Sequence, residues 1–309
     1  MQFALFTSLT GIPWEQVQAL WRHAEATGWD AAFVADHFMP NTPDPVTPTL
    51  ECWTTLAGLA LCTQRLRIGT LVAGNTYRHP AVLAKMATNV DIMSGGRLIC
   101  GLGAAWQQNE HEAYGIPFYT VRERLERLEE ACQVLLALWH EPKATFQGKY
   151  YQLRHAPLFP KPVQQPHPEL LIGGGGERRT LRIAAKYADH WNVWGGPEIL
   201  RRKIRILEDH CAAVGRDPRT IKRSANMPLL LTDQPEARQR LVQSLMRLFG
   251  RSEAEARDTV LAGSVGEVQD TLGRLQAAGV DMLCIPTFVP PWRYEQLDRF
   301  ITEVAPAFR

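Results

Sequence analysis

The sequence predicts an α/β protein folded as a closed (β/α)8 TIM barrel with rim insertions. Short apolar runs alternate with amphipathic helical patterns from end to end. Strands separated in this way need crossover connections, which make the sheet parallel. A chain of 309 residues holds such a barrel, whose usual size is about 250, with room for insertions. The runner-up is a doubly wound open sheet. Against it, the first strand runs out into Thr7-Ser8-Leu9-Thr10-Gly11 and not into the G-x-G-x-x-G turn of such folds.

In chain order the candidate strands are Phe3–Phe6, Ala31–Ala35, Leu66–Val72, Arg97–Leu102, Glu169–Ile172, His190–Trp194, Ser224–Leu231 and Met282–Pro286. The helices between them follow from apolar spacing. Val17, Leu20, Trp21 and Ala24 share one face, as do Leu125, Leu128, Cys132, Leu135 and Trp139. Leu200, Ile204, Leu207, Cys211 and Val214 repeat the spacing, and Val268, Leu272 and Leu275 follow it before Gly279 ends that helix. Ser264 to Glu267 reads as a capping box that opens it. Residues 141–169 break the alternation: the prolines there prevent helix, so this stretch is expected to be a rim excursion carrying at most a short hairpin. The whole chain, 1–309, reads as one domain.

Composition removes several function classes. Apolar residues make up 45% and charged residues 21%, the balance of a globular protein with a sizeable core. A net charge of +2 supplies no field for nucleic acid or an anionic membrane. The apolar run Leu56–Cys62 is too short to span a bilayer, and the start of the chain lacks a signal-like pattern. The six cysteines form no C-x-x-C pair and read as buried thiols of a cytoplasmic protein.

In a barrel of this type the site is built just beyond the strand ends. Asp36 and His37 end the second strand. The third runs through Leu71 and Val72 to Thr76, and the fourth through Gly101, Gly103 and Ala104 to Trp106 and Asn109. The fifth exits into four glycines, 173–176, and the eighth into Thr287 and Phe288. His37 is the candidate acid–base group, since an imidazole titrates near neutral pH. Asp36 alternates to the other side of the strand and need not touch it. The glycine run followed by a helix from about Thr180 forms a nest of backbone N–H groups for a phosphate, to which Arg178 or Arg179 could add charge. Trp106 either stacks on a planar ring or plugs the mouth, the commoner use of tryptophan. Glu110, His111 and Glu112 read as a solvated helix start, and His79 and His190 as structural or surface residues.

Together these motifs resemble the luciferase-like monooxygenase superfamily of flavin- and deazaflavin-dependent barrels. The carriers are Asp36-His37-Phe38, Gly69-Thr70-Leu71-Val72, Gly96 to Gly103, Trp106 with Glu110 to Gly115, Gly173–Gly176, and Ala184 to Asn192. The Asp-His-Phe triplet is similar to the branch that uses coenzyme F420, a 5-deazaflavin. This resemblance implies that His37 handles a proton over the ring. It implies that Leu71 and Val72 back the ring through a bulge with a cis peptide, that Thr76 and Asn109 hydrogen-bond the ring or ribityl chain, and that Gly173, Gly174, Gly175 and Gly176 hold the phosphate. Asp36, Gly103, Ala104 and Trp106 complete the expected cofactor set. Glucose-6-phosphate dehydrogenases of the superfamily carry a tryptophan and a glutamate where this chain has Asn41 and Trp106, which argues against sugar-phosphate oxidation.

The function expected is hydride transfer between coenzyme F420 and a small organic substrate. FMN-dependent oxygenation and a non-catalytic flavin-binding barrel are the alternatives, and metal hydrolysis lacks a ligand motif. The resemblance also implies a homodimer.

Overall fold

The computed structural model describes residues 1–42, 46–288 and 294–309. Eight parallel strands form the barrel: β1 (Gln2–Thr7), β2 (Ala31–Val34), β3 (Arg67–Thr70), β4 (Leu98–Gly103), β5 (Glu169–Gly173), β6 (His190–Trp194), β7 (Lys222–Asn226) and β8 (Met282–Thr287). Each pairs with its neighbours in sequence order, and β8 returns to β1 with Phe3 opposite Leu283. That pairing leaves the barrel without a free edge and rules out the open sheet.

Alternation along the strands divides the apolar residues between two cores. Inside the barrel lie Ala4, Phe6, Ala31, Phe33, Leu71, Ile99, Leu171, Met282 and Cys284. The larger core fills the space between the strands and the helical ring. There the helix Trp14–Thr27 buries Val17, Leu20, Trp21 and Ala24, the face read from spacing. The indole N–H of Trp21 donates to Thr7 Oγ1 at 3.1 Å, which satisfies its polar edge on burial. All six cysteines are free, and Cys62 is the one not fully buried. The capping box at Ser264 and Glu267 is present.

Between β3 and β4 the backbones run unusually close. A Cβ on Gly69 would overlap the Ile99 carbonyl, and one on Gly101 the Thr70 carbonyl. Beyond this pinch the Leu71–Val72 peptide is cis, at the position the resemblance implies. Thr70 Oγ1 takes over the ladder there, accepting from the Gly101 N–H at 3.1 Å and donating to its carbonyl at 2.8 Å. Val72 is thereby directed between β4 and β5.

Two excursions leave the barrel. Residues 141–169 form the short hairpin expected, Lys143–Gln147 against Gln152–Pro157, and its turn is held by Glu130, which accepts from the N–H groups of Lys149, Tyr150 and Tyr151. The second was not foreseen. The expected strand Ser224–Leu231 is two elements, because the chain leaves the barrel after Asn226. Leu229–Leu231 pairs in parallel with Leu261–Gly263, and between them stand the helices Pro235–Phe249 and Glu253–Thr259. A small apolar cluster of Val242, Leu245, Ala256 and Val260 gives this excursion its own core, so its apolar residues do not feed the barrel pattern.

Candidate active site

At the C-terminal ends of the strands opens a cavity of about 790 Å3. Asp36 and His37 come from β2, Leu71 to Gly74 from the bulge, Gly103 to Trp106 from β4, Gly173 to Gly175 from β5, and Asn192 to Trp194 from β6. Asn226 of β7 joins them, with Glu198, Ile199, Arg202 and Lys203 of the helix Pro197–Ala213 and with Arg251 and Glu255 of the second excursion. Of the β8 exit, the described residues Thr287 and Phe288 do not line it, and Phe288 packs against Phe6 and Trp194.

His37 is about one-quarter exposed, and its Nδ1 lies 2.9 Å from Oε1 of Glu110. The Glu110 side chain is fully buried. Its other partners are the Tyr77 hydroxyl, which donates to Oε1, and the Phe38 N–H, which donates to Oε2 at 2.8 Å. Burial pushes this carboxyl up, yet the hydrogen bonds from His37, Tyr77 and Phe38 outweigh it and hold the group below 4.5. An ionised Glu110 accepts the proton on Nδ1, so Nε2 is the nitrogen left for chemistry. The expectation of a solvated helix start is therefore corrected: Glu110 and His111 are buried and only Glu112 of the three is exposed. Glu110 stands 73 residues from His37 in the chain, and only barrel closure brings them together.

Asp36 turns away from the imidazole, as alternation requires. Both its oxygens meet the Arg78 guanidinium, at 2.7 and 3.1 Å, and Oδ2 also accepts from the Gly74 N–H at 3.0 Å. Arg78 reaches on to Glu51 at 2.6 Å. Burial raises the Asp36 carboxyl, while Arg78 opposes the shift. With its oxygens so engaged, Asp36 braces the bulge to β2 and has little left for a ligand.

Thr76 and Asn109 lie outside the cavity lining. The Thr76 hydroxyl is 2.6 Å from His111 Nε2, and Asn109 Nδ2 donates to the Pro40 carbonyl at 3.2 Å. Both are expected against the ring; neither lines the cavity in this structure, and Oδ1 of Asn109 is buried without a hydrogen-bond partner among the described residues. Trp106 does not plug the barrel, since its side chain stands 61% exposed at the mouth.

The glycine run divides. A Cβ on Gly103 would come within 2.7 Å of Val72 Cγ2, and one on Gly173 within 2.8 Å of Val72 Cγ1, so both strands must be bare where the bulge enters. Gly174 sits at φ +127°, which a side chain would strain. Its carbonyl accepts from the Trp191 indole at 2.9 Å. Gly176 is not part of the cavity lining, and its carbonyl accepts from the Leu181 N–H, opening the helix Thr180–Tyr187. Neither Arg178 nor Arg179 lines the cavity. The positive charge beside the run is Lys203, whose Nζ donates to the Gly175 carbonyl at 2.6 Å, with Arg202 next to it. Both come from the following helix, which spacing alone could not aim at this point. Among the described residues no His, Cys, Asp and Glu cluster could hold a metal ion.

The chain matches the sequence pattern of the luciferase-like monooxygenase family over residues 1–282. An uncharacterized protein of Mycobacterium tuberculosis is 31% identical over 228 residues, which is 69% of this chain and 78% of that protein. An F420-dependent glucose-6-phosphate dehydrogenase of Kineococcus radiotolerans is 37% identical over 217 residues, 69% of this chain and 63% of the enzyme. Among solved structures, an F420-dependent secondary alcohol dehydrogenase with an F420–acetone adduct superimposes with a TM-score of 0.87 at 23% identity, covering 100% of this chain and 99% of that one. With its cis bulge, its glycine exit after β5 and a family pattern that runs from the first strand into the eighth, the chain belongs to the luciferase-like monooxygenase family.

Proposed function

We propose that this protein is an oxidoreductase that moves a hydride between coenzyme F420 and a small organic substrate, with His37 handling the accompanying proton. The F420-dependent enzymes among its relatives and structural neighbours support the cofactor. The observation that carries the reaction is the His37–Glu110 pair, with one imidazole nitrogen fixed by a buried carboxylate and the ring on the cavity wall.

The residues present fit the cofactor. Leu71 and Val72 offer a bulged wall against a planar ring, with Gly103 and Ala104 beside it. Gly173, Gly174 and Gly175, next to Lys203 and Arg202, suit a phosphate. When bound, coenzyme F420 supplies a two-electron hydride carrier. His37 Nε2 accepts the hydroxyl proton when an alcohol is oxidised and returns it when a carbonyl is reduced. Glu110 keeps the imidazole in the required tautomer and stabilises its protonated form. Trp194, Leu71 and Val72 line the cavity with apolar surface that disfavours water around the reacting groups.

Absorbance titration of the purified protein with F420 and with FMN tests the cofactor, F420 being expected to bind at least tenfold tighter. FMN binding tenfold tighter, about 1.4 kcal/mol, would overturn the choice. Further parts of the reading concern assembly and location. Among the described residues no helix is long and apolar enough to cross a membrane. The six free thiols support a reducing, cytoplasmic setting. Exposed Leu61, Val82, Ile92 and Met93 on the helices Cys52–Cys62 and Pro80–Met93 suit cover by a second copy of the chain. Light scattering at twice the chain mass would support that dimer. We infer that residues 1–309 act as one domain.

A further inference from the structure

We propose that Trp106 is the platform for the apolar part of the substrate, and that the protein therefore acts on alcohols or carbonyl compounds carrying an aliphatic chain or ring. This rests on the oxidoreductase reading of the cavity and names the substrate class for it.

Among the described residues Trp106 is the one exposed tryptophan, at 61%, while Trp21, Trp29, Trp53, Trp139 and Trp191 are buried. Leaving so large an apolar surface in water forgoes the stabilisation that burial brings the others. The backbone adds to the cost. Ala105 is held at φ +61°, a conformation a non-glycine residue rarely adopts, and it turns the chain so that Trp106 stands over the mouth. The indole meets the His37 imidazole edge-on, with ring centroids 5.5 Å apart and planes at 80°. A substrate whose hydroxyl reaches His37 has its neighbouring carbons against this ring.

The polar groups near His37 are already engaged. Asp36 is bound by Arg78 and the Gly74 N–H, and Glu110 by His37, Tyr77 and the Phe38 N–H. What remains on that wall is Leu71, Val72, Ala104, Ala105 and Trp106. The charged side chains that line the cavity, Arg202, Arg251, Glu198 and Glu255, belong to elements that follow β6 and β7, where they meet Glu177, Thr259, Arg201 and Ser252 in turn. In a closed eight-strand barrel β6 lies across from β2. A polyhydroxylated substrate would leave its hydroxyl groups unpaired on the β2–β4 wall, whereas an alkyl chain leaves nothing unsatisfied.

The test is turnover of 2-alkanols of increasing length by the F420-loaded protein, with F420 affinity measured for every variant. Specificity, kcat/KM, is expected to rise about fourfold per methylene over the first few carbons. Trp106→Ala should reduce that to twofold or less while the F420 Kd stays within twofold, and Trp106→Phe should restore most of it. An unchanged dependence in Trp106→Ala would overturn the proposal, as would a tenfold loss of F420 affinity, which would place the indole on the cofactor. A preference for glucose 6-phosphate over 2-alkanols would also overturn it. Failure of the wild-type protein to bind F420 would overturn the oxidoreductase reading first, and this proposal with it.

Discussion

The barrel contains two histidine–glutamate pairs of nearly the same geometry and opposite character. At the mouth, His37 Nδ1 meets Glu110 Oε1 at 2.9 Å; in the interior, His190 Nδ1 meets Glu169 Oε1 at 2.8 Å. The difference lies at the second nitrogen. His37 remains partly exposed on the cavity wall, whereas fully buried His190 has Nε2 2.7 Å from Ser224 Oγ, which in turn accepts from Asn192 Nδ2 at 2.8 Å. Glu169 is further held by Arg67 at 2.7 Å and Lys222 at 3.3 Å. Both nitrogens of His190 are engaged inside a polar network and it can only hold the barrel together. An imidazole becomes a proton carrier when the carboxylate secures one nitrogen and the fold leaves the other uncommitted.

The largest effect that would sharpen this contrast is on stability. Glu169→Gln removes the anion that faces Arg67, Lys222 and His190, and should cost about 3 kcal/mol in urea or thermal unfolding. Activity per folded molecule should stay within twofold. A variant that kept its stability and lost turnover would reverse the roles assigned to the two pairs. The same group sets an acid limb. Burial pushes Glu169 up, but His190, Arg67 and Lys222 more than offset this and bring it down to about 2. A depressed folded-state value stabilises the protein above the ordinary 4.5 and loses that contribution as the pH falls from 4.5 towards 2. Burial likewise holds His190 below its usual 6.5, favouring its neutral form, so its contribution is also lost on acidification, beginning as the pH falls through 6.5. Glu169→Gln should therefore flatten the stability profile between pH 4.5 and 2.

Next in size is His37→Ala, expected to lower turnover by roughly 10² with F420 affinity within twofold, measured by steady-state kinetics and titration. Unchanged turnover would make His37 as structural as His190. Glu110→Gln should lower kcat about tenfold, because an amide no longer stabilises the protonated imidazole. Equal kcat in that variant would show that the carboxylate only packs the loop. The smallest effect belongs to Ser224→Ala, which strips His190 Nε2 of its partner and should cost about 1 kcal/mol without a change in kcat.

The two excursions show how far sequence reading extends. The prolines of 141–169 forbid helix, so a hairpin off the barrel was legible, and its turn rests on Glu130 of the helix Val121–His140. The excursion 229–263 was hidden because its helices use the same amphipathic spacing as the barrel helices. Yet this one supplies Arg251 and Glu255 to the cavity, and Phe249 packs on Trp194 with ring centroids 5.0 Å apart.

By itself the sequence determined the alternation of strands and helices, the glycine exit at 173–176 and the candidacy of His37, while the bulge at Leu71–Val72 was implied by the family resemblance. Each is written in a local run, where period and backbone freedom act over a few residues. Only the tertiary structure decided that Glu110 is the partner of His37, that Thr76 and Asn109 fall outside the cavity, and that Lys203 replaces Arg178 and Arg179 beside the glycines. Those facts depend on which strand ends meet when the barrel closes. A hydrogen bond spanning 73 residues, like the Glu110–His37 contact, has no local signature, because its geometry is set by the packing of everything between.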